Sequence, residues 1–152
     1  MQKKQNKTAL VWFKNNLRIR DNSSLHQATQ DYQKVIAVYF FNPKDSAKTN
    51  YGFKKTEKFR AQFLIESVTN LKEQLAKLNI TLLTFYCSPE SKIHEICHQY
   101  YIDSIYTQKE WTSEEVETNS AIKKTLRSSI NWIEDTKNAN TFFKIDTNKD
   151  RC

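Results

Sequence analysis

The chain has 152 residues, 38% of them hydrophobic and 27% charged, with a formal net charge of +7 at pH 7, which fits one folded domain of ordinary size. Its single glycine and two prolines exclude a Walker phosphate loop and a G-x-G-x-x-G fingerprint, both of which need glycine where backbone meets phosphate. No apolar run reaches the ~20 residues of a membrane helix, and the basic residues 1–7 have no apolar signal region behind them, so a soluble cytoplasmic protein without membrane contact is expected.

From the N-terminus, residues 8–13 (TALVWF) and 35–41 (VIAVYFF) are continuous apolar runs, the pattern of strands buried on both faces. Phe59, Phe63, Val68, Leu71, Leu75 and Leu78 then recur at three to five positions and predict one face of a long helix. Residues 80–86 (ITLLTFY) read as a third strand. Ser88 and Pro89 make an N-cap and first turn for a second helix, whose apolar face is Ile93, Ile96, Cys97 and Tyr100. Residues 104–106 predict a fourth strand, and Thr112-Ser113-Glu114-Glu115 reads as a capping box, with Thr112 and Glu115 satisfying each other's amides. It opens a third helix with Val116, Ile122 and Leu126 on its apolar stripe, followed by a fifth strand at 131–133. After Asp135 the pattern dissolves, giving a domain over 1–135 and an irregular polar tail over 136–152.

Strands alternating with helices predict an α/β fold: a Rossmann-like, doubly wound, five-stranded parallel sheet with helices on both faces. Ligands of such sheets bind beyond the carboxyl ends of the strands, where the strand order switches. The segments after Phe13, Phe41, Tyr86 and Thr107 are therefore the places to look for chemistry. After Phe13 comes the polar, basic stretch Lys14-Asn15-Asn16-Leu17-Arg18, which reads either as solvated loop or as ligand edge. Lys109-Glu110-Trp111 lies between a short strand and a capped helix. Glu110 is either a ligand-facing carboxylate or one more negative group near a helix N-terminus.

His94-Glu95-Ile96-Cys97-His98 satisfies H-E-x-x-H on a predicted helix, the zinc-hydrolase pattern of two imidazoles one turn apart with a glutamate to activate water. Against it, Glu95 is expected to face solvent and no sequence spacing supplies the third ligand. Cys87, Cys97 and Cys152 are odd in number and far apart, so reduced thiols are expected rather than disulfides or a Cys-based metal site. The positive charge permits attraction to nucleic acid, but the lysines are scattered.

Several segments, in order, resemble the N-terminal α/β domain of the DNA photolyase and cryptochrome family. Trp12-Phe13-Lys14-Asn15-Asn16-Leu17-Arg18, followed by Asp21-Asn22 and Leu25, is similar to that family's W-F-R-x-D-L-R-x-x-D-N-x-x-L. Arg60-Ala61-Gln62-Phe63-Leu64-Ile65-Glu66-Ser67 is similar to its R-x-x-F-L-x-E-S helix, and Ser88-Pro89-Glu90 to its G-x-P-E turn. Tyr106 through Lys109-Glu110, then Glu114-Glu115, resembles Y-x-x-K-E followed by E-E; the details look most like the DASH branch. This chain departs from the family at Lys14 (usually Arg), Asn16 (aspartate), and Glu57, Asn79 and Cys87 (glycines).

The resemblance implies a light-harvesting antenna domain beside a helical domain that holds FAD and performs light-driven repair of cyclobutane pyrimidine dimers. It implies methenyltetrahydrofolate as the first-ranked antenna, contacted by Glu110 with Lys109 and Trp111 beside it. A flavin or deazaflavin antenna would instead lie near the ends of the first strands, with Lys14, Asn16 and Phe41 as its contacts. Since the sequence stops at Cys152, the FAD and DNA-binding region of the family has no counterpart in it, and no catalysis by the chain alone is expected. The expected partner is a helical FAD-binding domain or chain, with DNA met only indirectly and self-association through the face left exposed. A stand-alone nucleotide- or flavin-binding module is the alternative.

Overall fold

The computed structural model describes residues 5–43 and 54–135. The polar tail expected over 136–152 lies outside these residues. The chain runs β1 (Gln5–Phe13), α1 (Ser23–Asp31), β2 (Tyr32–Phe40), α2 (Lys54–Lys77), β3 (Thr81–Phe85), α3 (Pro89–Gln99), β4 (Ile102–Gln108), α4 (Ser113–Thr125) and β5 (Asn131–Asp135). The five strands form one parallel sheet in the order β3-β2-β1-β4-β5, so the α/β, doubly wound reading holds.

The alternation within β1 shows why both faces are covered. Ala9, Val11 and Phe13 join Leu25 and Ala28 of α1 and Val68, Leu71 and Leu75 of α2 in one core. Leu10 and Trp12 join Ile93, Ile96 and Cys97 of α3 and Ile122 of α4 in the other. A strand that must be apolar on both sides reads as an unbroken hydrophobic run, which is how residues 8–13 look in the sequence. The strand is also tied across the sheet at its start, where the Thr8 amide donates to Asp103 Oδ2 at 2.9 Å.

Two local readings need correction. The apolar stripe of α2 is not one buried face: Val68, Leu71 and Leu75 are buried, whereas Phe59 and Phe63 are 69% and 72% exposed and Leu78 is also exposed. Period alone cannot separate a face turned to the sheet from one that runs past its end. Helix α1 was not anticipated, because its nine residues place little but Leu25 and Ala28 in the core. Its signal was the N-cap: Asn22 is buried, and its Oδ1 accepts from the Leu25 amide at 3.0 Å, while its Nδ2 donates to the Arg18 carbonyl at 3.1 Å.

The caps of the other helices differ in detail. Ser88 is the N-cap of α3 without a side-chain bond to the helix; its hydroxyl donates to the Glu90 carboxylate instead. At α4, Thr112 Oγ1 accepts from the Glu115 amide at 3.4 Å and donates to Glu115 Oε2 at 2.6 Å. Glu115 thus turns to the Thr112 hydroxyl rather than to its amide.

Asn79 explains one departure from glycine. Its φ of 58° is left-handed, and it follows α2 in a Schellman arrangement, with Ile80 N donating to the Leu75 carbonyl and Asn79 N to the Ala76 carbonyl, both at 3.0 Å. Asparagine tolerates this conformation better than other side chains but not as freely as glycine. Asn79→Gly should therefore raise unfolding stability by ~0.5 kcal/mol in a urea titration; a loss of stability would show that the Asn79 side chain matters more than its backbone. Cys87, at another such position, is not among the described non-glycine residues with positive φ and needs no glycine.

Candidate functional site at the carboxyl edge of the sheet

The chain builds outward from β1 to β2 and β3 on one side and to β4 and β5 on the other. The switch therefore falls between β1 and β4, where an open α/β sheet presents its ligand crevice. The residues just past those two strands are Lys14 on one side and Lys109, Glu110 and Trp111 on the other.

The fold brings Lys14 and Glu110 into one electrostatic cluster. Lys14 Nζ donates to Asn119 Oδ1 of α4 at 3.0 Å and lies 4.2 Å from the centre of the Trp12 ring. Burial lowers the Lys14 pKa, and the charges of Glu110, Glu115 and Glu134 oppose that fall. Burial, the charge of Glu115 and a hydrogen bond with Glu115 push the Glu110 carboxyl up to about 7, against the pull of Lys14. Glu110 Oε1 is buried with no hydrogen-bond partner, as are Asn16 Oδ1, Thr107 Oγ1 and Gln108 Oε1. Buried acceptors are normally paired, so such a group at a sheet edge calls for an explanation.

Beside this cluster, a cleft of about 130 Å³ opens between the ends of β1 and β2 and the first turns of α3 and α4, lined by Trp12, Lys14, Phe40, Asn42, Glu115 and Asn119. Two of its lining residues, Trp12 and Phe40, belong to an aromatic row. Trp12 meets Phe40 at 5.9 Å and Trp132 at 6.2 Å between ring centres, both edge to face. The β5 side is held by Glu134, which accepts from Lys123 Nζ at 2.9 Å and from Trp132 Nε1 at 2.8 Å. Burial works against its charge, yet these two donors hold its pKa below the ordinary value.

Comparison with known proteins settles the relationship. The family model described as DNA photolyase matches residues 9–151. The chain belongs to the DNA photolyase family. It is 40% identical over 119 residues to cryptochrome DASH of Synechocystis sp., covering 78% of this chain and 24% of that protein. It is 36% identical over 121 residues to blue-light photoreceptor PHR2 of Arabidopsis thaliana, covering 80% of this chain and 27% of that one. The crystal structure of a Synechocystis cryptochrome matches with a TM-score of 0.76 and 36% identity, over 88% of this chain and 28% of that chain. This chain thus spans about a quarter of the length of these photolyase-family relatives.

Within this photolyase-family domain, the anticipated residues do not all meet. Lys109 lies 4.6 Å from the centre of the Trp111 ring, which is exposed, and its amide donates to the Asp135 carbonyl at 2.9 Å. Phe41 packs edge to face on Tyr39 at 4.9 Å between ring centres and belongs to the core under α1 and α2. It does not line the cleft; Phe40, one residue earlier, does. Asn119 and Glu115 were missed as site residues. Their signal was Asn119 four residues after Glu115 and three before buried Ile122, a polar interruption of the helix face that meets the sheet.

The H-E-x-x-H segment does not assemble a hydrolytic centre. His94 and His98 are exposed, and Glu95 is paired with Lys92 at 2.8 Å. Among the described residues no group of three or more His, Cys, Asp or Glu side chains could hold a metal ion. The Cys97 thiol between the two histidines is buried, which pushes its pKa up to about 11. Among the described residues, no helix is long and apolar enough to cross a membrane.

Proposed function

We propose that this photolyase-family domain grips a light-harvesting chromophore at the β1/β4 edge, with a methenyltetrahydrofolate-type folate as the ligand and Glu110 as its main contact. The observation that carries this reading is the half-buried Glu110 carboxyl, whose Oε1 has no partner at the switch point of the sheet. A buried acceptor without a donor costs ~1–3 kcal/mol, and a ligand that brings N–H groups relieves it. The pterin ring of a folate carries such donors, and Asn16 Oδ1 and Gln108 Oε1 are further acceptors without partners.

The chain's own residues would bind and orient the ring. Glu110 would accept from it, and Lys14, held over Trp12 and bonded to Asn119, would keep positive charge beside that carboxylate. The bound chromophore supplies near-ultraviolet and blue absorption, which this sheet lacks. The cleft of about 130 Å³ beside this cluster, lined by Lys14 but not by Glu110, is smaller than the ~300 Å³ at the low end of ligand pockets. The domain would therefore grip one edge of the chromophore while a second surface, such as a helical FAD-binding domain, covers the rest. That arrangement suits a contribution to light-driven repair of cyclobutane pyrimidine dimers in which the present residues do no bond chemistry themselves.

A second reading, a flavin antenna, is favoured by the aromatic cleft itself, where Trp12 and Phe40 offer apolar ring surface to a flat heterocycle. One titration separates the two. Absorption of methenyltetrahydrofolate or FMN is followed as the full chain is added. Saturable folate binding that weakens ~10- to 100-fold in Glu110→Gln is the expected result, the size of one charge-assisted hydrogen bond. FMN binding that is lost in Trp12→Ala but unchanged in Glu110→Gln would favour the flavin reading. Folate binding indifferent to Glu110→Gln, or saturable binding of neither ligand, would overturn the proposal.

A further inference from the structure

At the opposite end of the sheet from the chromophore edge lies a larger cavity, about 180 Å³, at the C-terminus of α3 and the start of β4. His94, His98, Asp103 and Arg127 are among the residues that line it. We propose that His94 and His98 form a two-imidazole chelate for a first-row divalent cation such as Zn²⁺, which completes its coordination with water. This is a binding site and not a hydrolytic one, since Glu95 is committed to Lys92 on the exposed side of the helix.

Four observations favour it. The histidines stand four residues apart in the regular helix Pro89–Gln99, a spacing that puts their Cβ atoms ~5–6 Å apart on one face. Both line the same cavity. Both are exposed, so an ion can reach them without opening the core. His98 also lies in the last turn of α3, where the helix dipole favours positive charge.

The charges facing the cavity are Asp103 and Arg127. One oxygen of Asp103 accepts from the Thr8 amide at 2.9 Å, which fixes the carboxylate beside the cavity, where its charge offsets that of Arg127. Imidazole ligands select Zn²⁺, Ni²⁺ and Cu²⁺ over Mg²⁺, which demands oxygen. Two ligands on one rigid turn act as one, since after the first bond the second is intramolecular.

The test is calorimetric titration of the full chain with ZnCl₂, with MgCl₂ as the control. One saturable Zn²⁺ site and no Mg²⁺ site are expected. His94→Ala and His98→Ala should each weaken Zn²⁺ binding by ~100-fold, the loss of the chelate advantage. His26→Ala, on α1 across the sheet, should leave it unchanged.

The double variant H98A/Q99H keeps two histidines on α3 but sets them five residues apart, on different faces, and should bind as weakly as His98→Ala. Circular dichroism of each variant confirms that α3 is retained. Zn²⁺ binding that survives in H98A/Q99H, that falls equally in His26→Ala, or that is absent from the unmodified chain overturns the proposal.

Discussion

Glu110→Gln is expected to stabilise the fold at pH 8 by ~1–2 kcal/mol more than at pH 5, after allowing for solvent screening of a partly exposed group. The carboxyl is raised from an ordinary value of 4.5 to about 7 by burial, by the charge of Glu115 and by their hydrogen bond. Between those two pH values the folded chain keeps a proton on Glu110 that the unfolded chain has released. Stability therefore falls as pH rises through this window and stays low above it.

Glutamine has no charge to develop, so the loss is absent in the variant. Any fixed effect of the new amide, such as a bond to Glu115, enters equally at both pH values and cancels in the comparison. Urea unfolding of both chains at pH 5 and pH 8 reads the difference; an equal effect at the two values would show that Glu110 is not a strained carboxyl. The cluster holds this strain because Lys14 is itself partly buried and shared with Asn119, so it offsets only part of the repulsion between Glu110 and Glu115.

Leu75→Ala should cost ~3 kcal/mol of unfolding stability, the usual size for a buried leucine truncated in a close-packed core. Leu75 is fully buried, in contact with the same core as Ile80 and Tyr106, and its carbonyl accepts the Schellman bond that ends α2. Phe63→Ala, on the same helix, should change stability by less than ~0.5 kcal/mol, as for an ordinary surface position, because Phe63 is 72% exposed. Paired urea titrations decide the matter. Equal losses would mean that the N-terminal half of α2 is covered in solution.

The sequence carried the sheet well because its central strands are unambiguous. β1 and β2 are apolar over runs too short for helices and bounded by polar loops. β4 was harder, since Asp103, Ser104 and Thr107 break its run, yet Ser104 and Thr107 are fully buried. Ser104 is held there by Tyr32, whose hydroxyl lies 2.5 Å from its own, a partner no local pattern reveals. The site was legible where it follows strands, at Lys14 and Glu110. It was not legible at Asn119, because the contact that gives that residue meaning comes from Lys14, 105 positions away. For the same reason Phe41 could be named at the end of β2 but not assigned to a face, which depends on a register of one residue.

The placement of β1 in the middle of the sheet also sets a timetable. Its first neighbour, β2, follows after a single short helix, but its second, β4, is complete only at Gln108. The Thr8 amide waits 95 residues for its acceptor. During synthesis, residues up to 85 can form a three-stranded half-sheet whose inner edge, on β1 with its apolar residues 9–13, stays open. Closing it means closing a long loop before the new pairing repays the entropy lost. The β1/β4 edge of the sheet is therefore among the last parts of the molecule to exist, and the nascent chain is most exposed to edge-to-edge association just before it forms.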